Sequence, residues 1–365
     1  MPAMTRSNEG PLMQENSATP TEAATPHYFG DMQSNAKMFQ MIFGGSIAQA
    51  VHAAAYFSLA EHISDGRNTP EAIARAESLH VEATFRLMRT CASLGLLSYD
   101  AGSKTFAATP LLNTLHRDNP ASMRGVAMLI PAHGHWAPWG RLCEAVRTGE
   151  PQSVAALGCG AWDYLSESPD EAAAFSETMK STALVFNRDA AKLVDIGGSQ
   201  VAVDVGGANG TFIHALMQAN PGLNGMVFDL PHVVPTATAA SIELGLQDRF
   251  SVMAGSFLEE DPPAADLYLL KLIMHDWNDE TCLSILRRCR RAINQNGRII
   301  VVEQILEEIG QPGFLPLLDL DMLVMLGGKE RTLNEFTDLF AAAGFRFLRM
   351  TRTSTPFVIL EAAAI

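Results

Sequence analysis

The feature that most constrains this chain is the alternation that begins at residue 199. Apolar runs at 201–205, 225–229, 249–254, 266–271 and 298–303 are separated by segments with helical periodicity. Strands joined through helices pair in parallel, and helices on both faces bury the strands on both sides. VAVDV at Val201–Val205 accordingly reads as a nearly continuous apolar and β-branched run. Two further strands, near Arg346–Thr351 and Phe357–Glu361, are joined by only a short turn and must run antiparallel to each other. The expected fold class is α/β, a doubly wound parallel sheet with an antiparallel strand at one edge.

Open sheets of this kind place ligands beyond the carboxyl ends of their strands. The run at 201–205 opens there into Gly206-Gly207-Ala208-Asn209-Gly210, followed by a helix expected over Thr211–Ala219. Glycine suits such a turn because a Cβ would hold the backbone away from a ligand. Pairing Gly207 with Gly210 leaves Val205 where the nicotinamide fingerprint G-x-G-x-x-G needs its first glycine, which weakens a dinucleotide reading. Asp229 ends the next run, followed by Leu230, and a carboxylate there can accept both hydrogen bonds of a ribose diol.

His275 follows the run at 266–271, Glu303 ends RIIVVE, and Glu330 lies in GGKERT. An imidazole with a pKa near ~6.5 is a suitable base at neutral pH, and a carboxylate on its second nitrogen fixes tautomer and ring orientation. Glu303 or Glu330 is the candidate for that role, with Asp276 as a substrate contact. Asp319 and Asp321 stand two apart, so they face oppositely on a strand and diverge by about 200° on a helix. No metal site is expected.

The formal charge of −14 argues against a nucleic-acid partner, whose phosphates require cationic side chains. Cys91, Cys143, Cys159, Cys282 and Cys289 are odd in number and scattered, as reduced cytoplasmic thiols would be. Residues 1–35 are polar, carry no apolar stretch for a signal peptide or membrane span, and are expected to be a disordered tail. Over 36–118 the order is a nearly all-round apolar helix at Met38–Ala60, helices at Thr69–Leu79 and Val81–Leu94, and a hairpin at Leu97–Phe106, as in a winged helix. Across 36–125 eight Lys or Arg face seven acids, a poor phosphate footprint, so dimerisation is favoured over DNA binding. Residues 119–198 read as a helical substrate-binding region dense in Met and aromatic side chains, and 199–365 as the catalytic domain.

Read as D-x-G-x-(G/A)-x-G, the residues Asp204, Gly206, Ala208 and Gly210 resemble the first motif of class I S-adenosylmethionine (SAM) methyltransferases. With FDLPHV, LLKLIMHDWNDE, VVEQIL, LDLDML and GGKERT, residues 36–365 resemble the plant-type small-molecule O-methyltransferases, which include caffeic acid, acetylserotonin and hydroxyneurosporene methyltransferases. The resemblance implies a Rossmann-like catalytic domain and His275 as general base flanked by Glu303 and Glu330. It also implies SAM contacts from Gly206, Asp229 and Lys271, with Asp204, Gly207, Leu230, Gly255, Ser256 and Phe257 alongside. Many members carry a Gly-Asp pair where this chain has Gly255-Ser256-Phe257. The expected acceptor contacts are Trp136, Phe175, Met179, Asp276, Met322 and Met325. The activity implied is methylation of a hydroxyl on an aromatic or polyketide-like small molecule, such as a hydroxyphenazine, by a homodimer that releases S-adenosylhomocysteine. The competing readings are a ligand-sensing winged-helix regulator, a nicotinamide-dependent reductase, and N-methylation on the same scaffold.

Overall fold

The computed structural model describes residues 32–307, 309–310 and 313–365, apart from the side chains of 180–189. The expected tail lies outside the described residues up to residue 31, but its boundary is corrected, because a helix already spans Met32–Ile42. The chain divides into one unit ending at Gly44 and a second from Gly45 to Ile365.

The single helix expected over Met38–Ala60 is three. Met32–Ile42 buries none of its residues and stops before Gly44-Gly45. Gly44–Tyr56 buries only Ala54 and Ala55, and Ser58, in the left-handed region at φ 49°, turns the chain into Leu59–Ser64. Thr69 caps Pro70–Glu77 by accepting the Ala72 N–H, and Val81–Ser93 follows. The hairpin pairs β1 (Leu97–Asp100) with β2 (Thr105–Ala108), its turn held by Asp100 accepting the Gly102 N–H at 2.8 Å. Within the second unit, Leu59, Ile73, Met88, Cys91 and Leu112 close a core among these helices and the hairpin.

The main sheet contains β3 (Val201–Val205), β4 (Asn224–Asp229), β5 (Phe250–Ala254), β6 (Ala265–Lys271), β7 (Ile293–Glu303), β8 (Phe345–Arg352) and β9 (Val358–Ala364), in the order β5-β4-β3-β6-β7-β9-β8. β3 to β7 are parallel, and β9 is antiparallel to both neighbours. The reversed strand thus stands one place in from the edge, with β8 outermost. Successive residues of β6 feed opposite faces: Leu267 and Leu269 join the core under the helix Thr211–Ala219, Tyr268 and Leu270 the core under Asp279–Ala292. Strand order reverses between β3 and β6, which opens a crevice at their carboxyl ends. Both the glycine turn and the His275 loop leave the sheet there.

Candidate functional site

At the β3 end the glycines are required by space. Gly206 has φ 68°, and a Cβ on it would lie 2.5 Å from Ile273 Cδ1 and 3.1 Å from Phe257 Cε1. A Cβ on Gly207 would strike the Asp204 side chain. Asp204 is buried beneath the turn, where burial pushes its carboxyl up to about 7 against the opposing pull of Lys271 and the Ile213 N–H. Ala208, where the family motif allows glycine, sits in the left-handed region at φ 50° and donates its N–H to Asp229 Oδ2 at 2.9 Å. Asp229 Oδ1 accepts the Leu230 N–H at 2.7 Å, and burial raises the Asp229 carboxyl despite these two bonds. Gly255 donates to the Asp229 carbonyl, leading into Ser256 and Phe257. The Phe257 ring meets Trp277 edge to face at 6.3 Å, and the buried Trp277 Nε1 has no hydrogen-bond partner.

The β6 end carries the histidine. Lys271 ends the strand, its ammonium pushed down by burial and supported by Asp204 and Glu303. Leu272, at φ 55°, turns the chain sharply into the short helix Met274–Asp276. His275 Nδ1 lies 2.9 Å from Glu330 Oε1, so Glu330, and not Glu303, holds the second ring nitrogen. Glu303 is fully buried, and its Oε1 accepts the N–H groups of Ile273, Met274 and His275 at 3.1, 2.9 and 3.3 Å. Its Oε2 has no hydrogen-bond partner and lies 3.9 Å from His275 Nδ1. Asp276 Oδ1 stands 3.4 Å from Nε2, so this expected substrate contact also flanks the other ring nitrogen. Burial alone would lower the imidazole pKa, but Glu303, Asp276 and Glu330 together push it up to about 10. Burial pushes the carboxyls of Asp276 and Glu303 up, to about 6 and about 7.

The two aspartates of LDLDML diverge on the helix Leu315–Met325 and tie it to two different elements. Asp321 Oδ1 accepts from His135 Nε2 at 2.8 Å and Trp139 Nε1 at 2.5 Å, both on the helix His133–Trp139 that carries Trp136. Asp319 Oδ1 accepts the Glu330 N–H at 2.8 Å. The helix that carries Met322 and Met325 is therefore tied on one side to the Trp136 helix and on the other to the backbone of Glu330. Trp136 itself is 45% exposed and lies against Gly45, whereas Phe175 packs edge to face on Trp162 at 5.7 Å and Met179 is 37% exposed.

Arg331 was not singled out from the sequence, although it follows Glu330 directly. It is completely buried and donates from Nη1 to the Met274 carbonyl and from Nη2 to the Trp277 carbonyl, each at 2.7 Å, and from Nε to Asp279 at 2.9 Å. It thereby holds both ends of the His275 loop. Gly328 permits the approach: a Cβ there would lie 2.1 Å from the His275 carbonyl oxygen. The available signal was an arginine directly after Glu330, three residues beyond the Gly327-Gly328 pair.

Residues 139–346 match the family model of an O-methyltransferase domain, and 39–118 that of an O-methyltransferase dimerisation domain. The chain belongs to this O-methyltransferase family. It is 33% identical over 330 residues to the phenazine O-methyltransferase of Lysobacter antibioticus, covering 90% of this chain and 96% of that one. Among solved structures, a mitomycin 7-O-methyltransferase superposes with a TM-score of 0.86 at 32% identity, over 91% of this chain and 98% of that one. An O-methyltransferase from neocarzinostatin biosynthesis, solved with S-adenosylhomocysteine and 1,4-dihydroxy-2-naphthoic acid, gives 0.78 at 30% identity, over 87% and 96%. This O-methyltransferase is an enzyme that uses SAM, which removes the regulator and nicotinamide readings. The glycine turn fits that cofactor, since a Cβ on Gly206 would fill the space between the turn, Ile273 and Phe257. Among the described residues no helix is long and apolar enough to cross a membrane.

Proposed function

We propose that this O-methyltransferase methylates a hydroxyl of an aromatic small molecule in secondary metabolism, with His275 as general base. The observation that carries the reading is the engagement of His275 Nδ1 by Glu330 at 2.9 Å, which would leave Nε2 as the nitrogen that receives the hydroxyl proton. SAM, when bound, supplies a methyl group on a sulfonium that is already an excellent leaving group. What the protein adds is alignment of an oxygen behind that methyl and removal of its proton.

Asp229 would hold the ribose diol through the free lone pairs of its two oxygens. Gly206, Gly207, Leu230, Gly255, Ser256 and Phe257 would frame the nucleoside, and Lys271 would set the local charge. Asp204, covered by the turn, shapes that cradle from below. At the other end Nε2 takes the hydroxyl proton, and the charges of Glu303, Asp276 and Glu330 stabilise the imidazolium that forms. Glu303 and Glu330 are positioning residues, the first through the loop backbone and the second through Nδ1. Trp136, Phe175, Met179, Met322 and Met325 would line the acceptor site, as flat aromatic ligands favour.

The relatives named for phenazine and mitomycin chemistry, and the neighbour solved with a dihydroxynaphthoate, point to a fused-ring phenol as acceptor. The dimerisation domain supports a homodimer, and the free cysteines fit a cytoplasmic protein. Incubation with labelled SAM and a panel of hydroxyphenazines, hydroxynaphthoates, anthracyclines and aromatic amines tests the reading. Label on a phenol oxygen is expected. Transfer confined to the amines would replace it with N-methylation.

A further inference from the structure

His275, Glu303 and Glu330 offer one ligand atom each within 4.8 Å of one another, on elements the sequence keeps far apart. A zinc ion at bond lengths of about 2.0–2.1 Å in tetrahedral geometry sets its ligand atoms about 3.3 Å apart. The separations of Nδ1 from Glu330 Oε1 and Glu303 Oε2, 2.9 and 3.9 Å, bracket that value. The second, independent observation is Glu303 Oε2 itself, a completely buried carboxylate oxygen with no hydrogen-bond partner that faces the imidazole. Its sister Oε1 is meanwhile fixed by three backbone N–H groups. A ligand oxygen oriented by outer hydrogen bonds through the rest of its carboxylate is how proteins preorganise metal ligands.

We propose that this cluster is a binding site for a zinc-class divalent ion, held by His275 Nδ1, Glu303 Oε2 and Glu330 Oε1. One imidazole nitrogen and two carboxylates are a donor set suited to a borderline cation, and the two carboxylates cancel its charge. Binding displaces the Nδ1 proton to solvent and breaks the His275–Glu330 hydrogen bond, so affinity rises with pH. Lys271, which interacts electrostatically with Glu303, and the cationic sulfonium of SAM both oppose the ion. The ion is therefore an inhibitor that competes with the working state and not a resident cofactor. The inhibition, unlike the binding, rests on the reading of His275 as base.

The test is calorimetric titration of the full chain with zinc chloride alone, followed by cobalt(II) absorption. One site per chain is expected, weakened at least about tenfold in Glu330→Gln and in His275→Asn. Tetrahedral cobalt bands without thiolate charge transfer are also expected. SAM binding by each variant serves as the check that it is folded, which matters most for Glu303→Gln because Glu303 anchors the loop. Equal zinc affinity in wild type and folded variants, or a thiolate band pointing to Cys143 or Cys159, overturns the site. If zinc binds as described while methyl transfer continues at saturation, the site stands and the general-base reading falls. Loss of transfer that a chelator restores supports both.

Discussion

The proposed cofactor end and the proposed base end of the sheet use the same device, an acid closing a parallel strand, and differ in where its partners come from. Asp229 accepts N–H groups from Leu230, the next residue, and Ala208, 21 residues back. Glu303 accepts three N–H groups from residues 28 to 30 positions away, and His275 then depends on Glu330, 55 positions away. The first end is assembled from two consecutive strand ends and the turn between them. The second needs β6, β7 and the 327–331 loop to dock together. The difference teaches that the geometry around Asp229 is nearly local, whereas the geometry around His275 is a property of several packed elements.

The largest expected effect separates the two ends. His275→Ala should lose roughly 10²–10⁴-fold in transfer rate while calorimetric SAM affinity stays within error of wild type. Wild-type turnover at neutral pH would show that the site only aligns its acceptor. Asp229→Ala is the converse. SAM affinity should fall by about 10–100-fold with the loss of charged hydrogen bonds, while kcat at saturating SAM changes little. A Kd equal to wild type would remove Asp229 from the cofactor site.

Arg331→Lys probes whether the base end is as non-local as proposed. A lysine cannot reach Met274, Trp277 and Asp279 in the fork that Arg331 makes, so kcat should drop about tenfold with KM for SAM unchanged. An unchanged kcat in a protein of unchanged Tm would show that the clamp is dispensable. Glu330→Gln sharpens the electrostatic side. The flanking carboxylates hold the His275 pKa up, and a base works only when deprotonated, so the wild-type rate should rise with pH through the His275 range. Removing one negative charge lowers that pKa, and the acid limb of the rate profile should move down by about one unit. A limb that stays in place or moves up contradicts the assignment. The smallest effect belongs to the local end. Ala208→Gly relieves a left-handed backbone and should raise stability by about 1 kcal/mol or less, read as a small increase in Tm with SAM affinity retained.

How far each part was legible follows from the same contrast. Strand positions were readable because a strand covered on both faces must be apolar throughout, as in Val201–Val205 and Ile299–Val302. The antiparallel relation of β8 and β9 followed from the shortness of their turn, but the insertion of β9 between β7 and β8 did not. The long apolar helix expected at Met38–Ala60 failed because periodicity registers apolar side chains and not the left-handed turn at Ser58 or the stop before Gly44.

What the sequence determined by itself was the strand-helix alternation, the glycine turn, the placement of His275 and Glu303 at or beyond strand ends, and Glu330 in GGKERT as a candidate beside them. These depend on neighbours within one or two elements. Only the tertiary structure decided that Glu330 takes the imidazole nitrogen, that Glu303 grips the loop backbone, and that Asp319 and Asp321 pull on different elements. It also decided that Arg331 is buried as a clamp. The reason is physical: spacing along the chain fixes which way a side chain leaves its own strand or helix, while a hydrogen bond between distant segments requires the packing that brings them within about 3 Å.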